Sequence, residues 1–172
     1  MEKLECTTCR SQKTTLRCGI CTEPSCKTCA HLFTEDAFSF LPKVPEVMTK
    51  GVYCHTCYLA NIEEQAEAYE KTMEAARNID VYFADQGKET RRIKRTQIKY
   101  KIASCEDRDE LILRFAFLAV LDGYSTLVDV DIVAEKKLDG TRQKTNYRGT
   151  ASPANPQPGH TPKDRSIRHN PN

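Results

Sequence analysis

The chain has 172 residues, of which 39% are hydrophobic and 29% charged, and it contains no tryptophan. That length accommodates one medium domain or two small ones, and the composition indicates no single large core. The formal net charge of +2 is small, so it gives little support for a nucleic-acid or membrane partner. No stretch approaches about 18 apolar residues, so we expect no transmembrane helix, and no apolar leader marks the start, so we expect a cytoplasmic location.

Cysteines dominate the first third of the chain. Eight of the nine fall before residue 58 as four Cys-x-x-Cys pairs: Cys6/Cys9, Cys18/Cys21, Cys26/Cys29 and Cys54/Cys57. In a reducing compartment such pairs indicate metal ligands rather than disulfides. Two pairs complete one tetrahedral zinc site, so the sequence predicts two structural Zn²⁺ ions. Eight thiolates and two Zn²⁺ would shift the net charge from +2 to about −2.

The spacing leaves the pairing of these cysteines open. Consecutive pairing would join the first pair with the second and the third with the fourth. Interleaved pairing would join the first with the third and the second with the fourth. The five-residue step from Cys21 to Cys26 spans at most roughly 17 Å, which allows both arrangements.

Residues 4–70 resemble a FYVE-type double-zinc finger, related to the cross-brace of the FYVE and PHD fingers. The resemblance rests on the four-residue gap between the second and third pairs and on "GVYCHTCYLANI", which leads into a helix. It implies an interleaved cross-brace. One zinc would then be held by Cys6, Cys9, Cys26 and Cys29, and the other by Cys18, Cys21, Cys54 and Cys57.

The finger departs from its lipid-binding relatives in the segment before the third cysteine. FYVE fingers that bind phosphatidylinositol 3-phosphate carry a basic motif there and an apolar loop that enters the bilayer. This chain keeps Arg17 but has Thr15 and Leu16 beside it. Arg10, Lys13 and Arg17 are therefore candidate contacts for a lipid or another anion, and their alternative role is to offset the thiolate charge.

The long loop over 30–51 contains many apolar residues, which either cover the zinc sites or form an exposed patch for a partner. We expect the first. His31 and His55 lie next to ligand cysteines, and with eight cysteines available we expect them outside the ligand sets.

Residues 58–79 predict a linking helix without glycine or proline. Leu59, Ile62, Ala66, Tyr69 and Met73 follow a spacing of three and four, which forms one apolar stripe. The stripe could pack on the protein itself or support dimerisation.

Residues 80–150 predict a small β-α-β-β domain, with a possible extra strand at 81–84. Alternation over 96–104 and 126–135 predicts two strands. Asp107, Glu110 and Gly123 predict the start and end of a helix between them. This part faintly resembles small bacterial β-α-β-β families of the YbjQ or dodecin type, which implies oligomerisation through the sheet.

Three further features of this region have an ordinary structural interpretation. Arg91, Arg92, Lys94 and Arg95 form a candidate basic patch, which we interpret as a solvated strand face in preference to a nucleic-acid or lipid site. An acidic row with Asp129 and Asp131 is interpreted as solvated. Cys105 is interpreted as a packed cysteine rather than a nucleophile.

The predicted organisation is α+β: a zinc-stabilised cross-brace finger over 1–57, the linking helix over 58–79, the small domain over 80–150 and a disordered tail over 151–172. No motif for catalysis is present, so we expect a non-enzymatic protein whose finger binds another protein. The alternatives are phosphoinositide-dependent membrane targeting, a RING-like ubiquitin-ligase role and, least favoured, nucleic-acid binding.

Overall fold

The computed structural model describes residues 5–88, 90–139 and 142–157. The chain divides into two compact units, Met1–Glu70 and Lys71–Asn172, and the division falls inside a helix. Helices and strands occur together, as the predicted α+β class requires. No helix in the described parts of the chain is long and apolar enough to cross a membrane.

The first unit contains short strands and helices between the cysteine pairs. The elements are β1 Leu16–Arg17, β2 Pro24–Ser25, β3 His31–Leu32, a 3-10 turn Glu46–Thr49, β4 Val52–Tyr53, α1 His55–Asn61 and α2 Glu63–Arg77. β1 pairs with β2 and β3 pairs with β4, both antiparallel.

The helix predicted over 58–79 is two helices in the structure. α1 begins at His55, directly after the extended Cys54, and α2 ends at Arg77. They are separated at Ile62, whose φ of −119° departs from helical geometry. Hydrogen bonds from the Ile62 N–H to the Tyr58 carbonyl and from the Ala66 N–H to the Ile62 carbonyl continue across this break, and the Ile62 side chain is fully buried in the core of the first unit.

That core is built largely from the loop over 30–51. Phe38 and Met48 are buried together with Tyr53, Ile62 and Ala66. The Tyr53 hydroxyl donates to the Val47 carbonyl at 2.8 Å and accepts from the Lys50 N–H at 3.1 Å, which fixes the loop to β4. Most of the apolar loop residues therefore serve as core, as expected. Leu32 is the exception, with 58% of its surface exposed.

In the second unit the end of α2 is followed by β5 Asp80–Phe83, a 3-10 turn Ala84–Gln86, β6 Tyr100–Cys105, α3 Arg108–Leu121, β7 Thr126–Asp139 and β8 Arg142–Ala154. The four strands form a sheet in the order β5-β7-β8-β6. β5 runs parallel to β7, and the other neighbouring strands are antiparallel. The predicted β-α-β-β order and the extra strand before it are both present.

Local sequence signals define both ends of α3. Asp107 Oδ1 accepts from the N–H groups of Asp109 at 2.7 Å and Glu110 at 2.8 Å, which makes Asp107 the N-cap. At the other end Gly123 has φ +83°. Its N–H donates to the Val120 carbonyl and that of Tyr124 to the Ala119 carbonyl, which together form a Schellman motif.

In β7 the predicted alternation holds from Val128 to Ile132, with Val128 and Val130 buried and Asp131 exposed, and is lost at the exposed Ala134. A bulge at Asp129, with φ +53°, shifts the register with β8.

Two predicted boundaries need correction. β6 begins at Tyr100 rather than at residue 96, and Ile98 lies outside it with 40% of its surface exposed. Residues 151–154 belong to β8, where Ala151 and Ala154 are fully buried, so the predicted tail does not start at 151. The predicted tail beyond residue 157 lies outside the described residues.

Candidate metal centres

All four Cys-x-x-Cys pairs adopt one local geometry. In each, the N–H four residues after the first cysteine donates to the carbonyl of that cysteine. The donor–acceptor distances are 2.8 Å for Arg10 to Cys6, 3.0 Å for Thr22 to Cys18, 3.0 Å for Ala30 to Cys26 and 2.9 Å for Tyr58 to Cys54. Each pair is thus a tight turn that directs two sulfurs to one side, and the last turn opens α1.

The turns combine into two interleaved four-sulfur clusters. Cys6, Cys9, Cys26 and Cys29 form the first cluster, and Cys18, Cys21, Cys54 and Cys57 form the second; within each, the sulfurs all lie within 4.8 Å of one another. These are the sets that the FYVE resemblance implied. The chain therefore forms a cross-brace, in which each site uses pairs from two separate stretches of sequence.

Sulfur–sulfur distances fit a tetrahedral zinc ion. Cys9 Sγ and Cys26 Sγ lie 3.6 Å apart, and Cys21 Sγ and Cys54 Sγ 3.7 Å apart. Zn–S bonds of about 2.3 Å at tetrahedral angles place neighbouring sulfurs roughly 3.8 Å apart, whereas a disulfide requires about 2.05 Å. Both clusters therefore have the ligand set and spacing of a structural zinc site.

Backbone hydrogen bonds connect the two clusters. The Cys18 N–H donates to the Glu23 carbonyl at 3.0 Å, which closes the β1–β2 hairpin, and the Thr7 N–H donates to the Pro24 carbonyl at 3.2 Å. Residues 22–25 thus join a cysteine turn of the first site to one of the second. The Gly19 N–H also donates to the Val52 carbonyl at 2.8 Å, which links the two turns that form the second site.

Without metal, the four sulfurs of the first cluster cannot all ionise near neutral pH. Backbone N–H donors, chiefly those of Cys9 and Cys26, lower the pKa of Cys6 to about 5. Hydrogen bonds that the protonated Cys29 thiol donates to the sulfurs of Cys26 and Cys9 raise the pKa of Cys29 to about 12. One sulfur is prepared as a thiolate and another keeps its proton, so a divalent cation is needed to bring the whole set to the tetrathiolate form.

The second cluster likewise contains one sulfur with a lowered pKa and another with a raised pKa. Burial opposes ionisation of Cys18, but the backbone N–H groups of Cys54 and Cys21 lower its pKa to about 6. Burial, together with the hydrogen bonds that the Cys57 thiol donates to the sulfurs of Cys54 and Cys21, raises the pKa of Cys57. Each cluster offers four protein ligands, which completes a tetrahedral zinc shell and is typical of structural rather than catalytic sites.

His31 and His55 lie outside both clusters, as expected. His31 Nε2 and His55 Nδ1 are 3.4 Å apart, within hydrogen-bonding distance. The Tyr58 ring stacks on His31 at 3.8 Å between centroids. Burial and the charge of His55 lower the pKa of His31, which favours the neutral ring that such a pair needs.

The candidate anion contacts of the finger are all exposed. Arg10 lies in the first cysteine turn, with φ +58°, and Lys13 follows it. Arg17 Nη1 lies 3.4 Å from the Thr22 carbonyl across the β1–β2 hairpin. Leu16 beside it is half-buried.

The candidate basic patch is divided by the fold. Arg91, Arg92 and Lys94 are exposed, but Arg95 is bound along one guanidinium edge by Asp129, at 3.0 Å from Nε to Oδ2 and 3.0 Å from Nη2 to Oδ1. Asp129 is therefore an ion-pair partner rather than a solvated member of an acidic row. The two residues are 34 positions apart, and no local sequence signal could have paired them.

Cys105 belongs to neither cluster. It is buried, and burial raises the pKa of its thiol. A buried thiol with a raised pKa is a packed side chain rather than a nucleophile.

Comparisons with known proteins found no match: no family model, no curated protein and no solved structure matches the chain.

Proposed function

We propose that this chain is a non-enzymatic zinc protein whose first unit is a FYVE-like finger that binds another protein. The support for a structural rather than catalytic metal is the ligand set. Four cysteines complete the tetrahedral shell at each site, which leaves no coordination position for water or substrate. The zinc ions would then serve to hold the loops of the finger in one conformation.

The observation that carries the binding proposal is a groove of about 600 Å³ beside β3 and β4. Its apolar lining includes Phe33, Val44 and Met48, and Leu32 stands at its edge with 58% of its surface exposed. Glu35 and Lys50 also line it, so apolar and charged groups are both available to a partner. Apolar anchors surrounded by polar groups are typical of protein interfaces.

The test compares two exposed leucines in the full-length chain. Leu32→Asp changes the groove, whereas Leu59→Asp changes a leucine on α1 that is also exposed, at 46%. Chemical crosslinking in cells, read by mass spectrometry, should identify a protein attached near residues 32–52. We expect Leu32→Asp to lower its recovery about tenfold and Leu59→Asp to leave it unchanged. Equal recovery from both variants would refute the groove as the interface, provided that both retain two zinc ions.

A second candidate function is membrane targeting through a phosphoinositide. The observation in its favour is the exposure of Arg10, Lys13 and Arg17 in the finger. Leu16 is half-buried, so this segment offers little apolar surface for insertion. Sedimentation with vesicles containing phosphatidylinositol 3-phosphate, with and without Arg17→Ala, tests this candidate. Zinc-dependent sedimentation that Arg17→Ala removes would favour it over protein binding.

A further inference from the structure

The turn Thr90–Ile93 in the second unit carries two consecutive arginines at its tip. The Ile93 N–H donates to the Thr90 carbonyl at 2.9 Å, so Arg91 and Arg92 are the two central residues of a hydrogen-bonded turn. Both are exposed, as is Lys94 just after the turn. Within the described residues, none of these three side chains takes part in an ion pair.

The two ends of this turn are buried. Thr90 is fully buried, and Ile93 is 3% exposed in a cluster with Tyr82, Val128 and Ala154 of the sheet. The tip cannot move freely, because both of its ends are held by the body of the second unit.

Arg95 hydrogen-bonds to both ends of the turn. Its Nη1 donates to the Thr90 carbonyl at 2.7 Å and to the Ile93 carbonyl at 3.1 Å, and its Nη2 donates to Thr90 Oγ1 at 2.9 Å. Asp129, in the β7 bulge, holds the same guanidinium with both carboxylate oxygens. The Asp129 carboxylate is thus used by Arg95.

We propose that this turn is a preformed binding site for a phosphate group, with Arg91 and Arg92 as the main contacts and Lys94 as a third cation. Guanidinium groups donate two parallel hydrogen bonds to phosphate oxygens. A phosphate monoester carries about −1.5 to −2 charges near neutral pH, which three adjacent cations can offset. Because the backbone of the turn is already fixed, only the side chains lose conformational freedom on binding. The proposal is independent of the function of the finger.

Three cations at a single turn favour one phosphate group over a nucleic acid. A bound strand is followed by cations along several successive phosphates, and its affinity falls steeply with salt. The site takes either free phosphate or a phosphate ester, since both present the same oxygens. The experiment separates these two sources.

The experiment is a titration of the zinc-loaded full chain, followed by the amide NMR signals of residues 90–95 at constant ionic strength. One arm uses inorganic phosphate, a second uses glycerol phosphate and a third uses a short single-stranded oligonucleotide. We expect saturable shifts confined to the turn with phosphate or its ester, and the stronger of the two identifies the source. Shifts no larger than those from chloride, or selective oligonucleotide binding with a steep salt dependence, would overturn the proposal.

Variants separate the phosphate contacts from the support of the turn. Replacing Arg91 and Arg92 by alanine should raise the dissociation constant at least about tenfold. Asp129→Asn keeps both arginines but weakens the hold on Arg95, and should raise the dissociation constant roughly threefold. Arg77→Ala, which removes an exposed arginine at the end of α2, is the control and should change nothing. Unchanged binding in the double variant would overturn the proposal.

Discussion

The two units of this chain are stabilised in different ways. The first unit has strands of only two residues, and its order depends on two four-sulfur clusters together with one small core. The second unit has strands of up to 14 residues and a helix whose buried side chains pack within the same unit. A small loop-rich domain therefore needs metal as a substitute for apolar burial, whereas a sheet with a packed helix does not.

Metal removal should have the largest effect. Chelation with an excess of a strong zinc chelator should unfold the first unit, because zinc affinity and folding free energy are the same quantity in such domains. The second unit should keep its fold. Hydrogen exchange followed by mass spectrometry should show lost protection over residues 5–61 and retained protection over 100–121. Elemental analysis before chelation should give two zinc ions per chain. Equal loss of protection in both units would show that the first unit does not depend on metal more than the second.

Single cysteine variants should show the same difference between the two units, since only a cysteine of the first unit should affect zinc binding. Cys54→Ser removes a buried ligand of the second cluster and should lower the zinc content from two ions to one or none. Cys105→Ser is the matched control, because Cys105 is also buried but belongs to no cluster. It should keep both ions and lower only the stability of the second unit. Zinc measured by mass spectrometry under native conditions checks both outcomes.

Acid should also affect the first unit selectively. Protons compete with zinc for the thiolates, so zinc binding weakens as the pH falls. The pKa values of Cys29 and Cys57 are raised in the metal-free clusters, so each site must lose protons to bind zinc even at neutral pH. Zinc release, followed with a colorimetric chelator, should therefore increase steadily as the pH is lowered from neutral. Roughly equal rates of zinc release at all pH values between about 4 and 7 would contradict zinc binding by thiolates.

Replacing Gly149 in the second unit should lower the free energy of unfolding by an intermediate amount and leave the zinc content unchanged. A Cβ at Gly149 would lie 2.6 Å from the Asp131 carbonyl oxygen and 3.3 Å from Phe115 Cε2, so Gly149→Ala should cost about 1–3 kcal/mol of unfolding free energy. At Gly87 the nearest atom would be 3.9 Å away, and Gly87→Ala should be nearly neutral. Urea denaturation gives both values, and the zinc content should remain at two.

The smallest expected effect concerns the N-cap of α3. Asp107→Ala removes the acceptor for two backbone N–H groups and should lower the stability of the second unit by about 1 kcal/mol. Glu106→Ala is the control, since its only described bond is a 3.5 Å contact with Lys144 on the surface, and it should change stability by less than about 0.5 kcal/mol. A larger effect from Glu106→Ala would mean that helix capping does not dominate at this position.

Features whose interacting groups lie within a few residues of one another could be predicted from the sequence. A cysteine turn is closed by a hydrogen bond to the fourth residue along the chain, as from Arg10 to Cys6. The ends of α3 depend on Asp107 and Gly123, each in contact with its immediate neighbours. Such patterns can be predicted because the interacting groups are adjacent in sequence.

The chain length between the cysteine turns allowed both pairings; the resemblance to FYVE fingers implied the interleaved one, and the fold brings those sulfurs together. The fold also pairs Asp129 with Arg95 from 34 residues away, places a bulge in β7 and breaks the helix at Ile62. The reason is common to all of these: each depends on contacts between distant segments, whose geometry is defined only when the whole unit has folded.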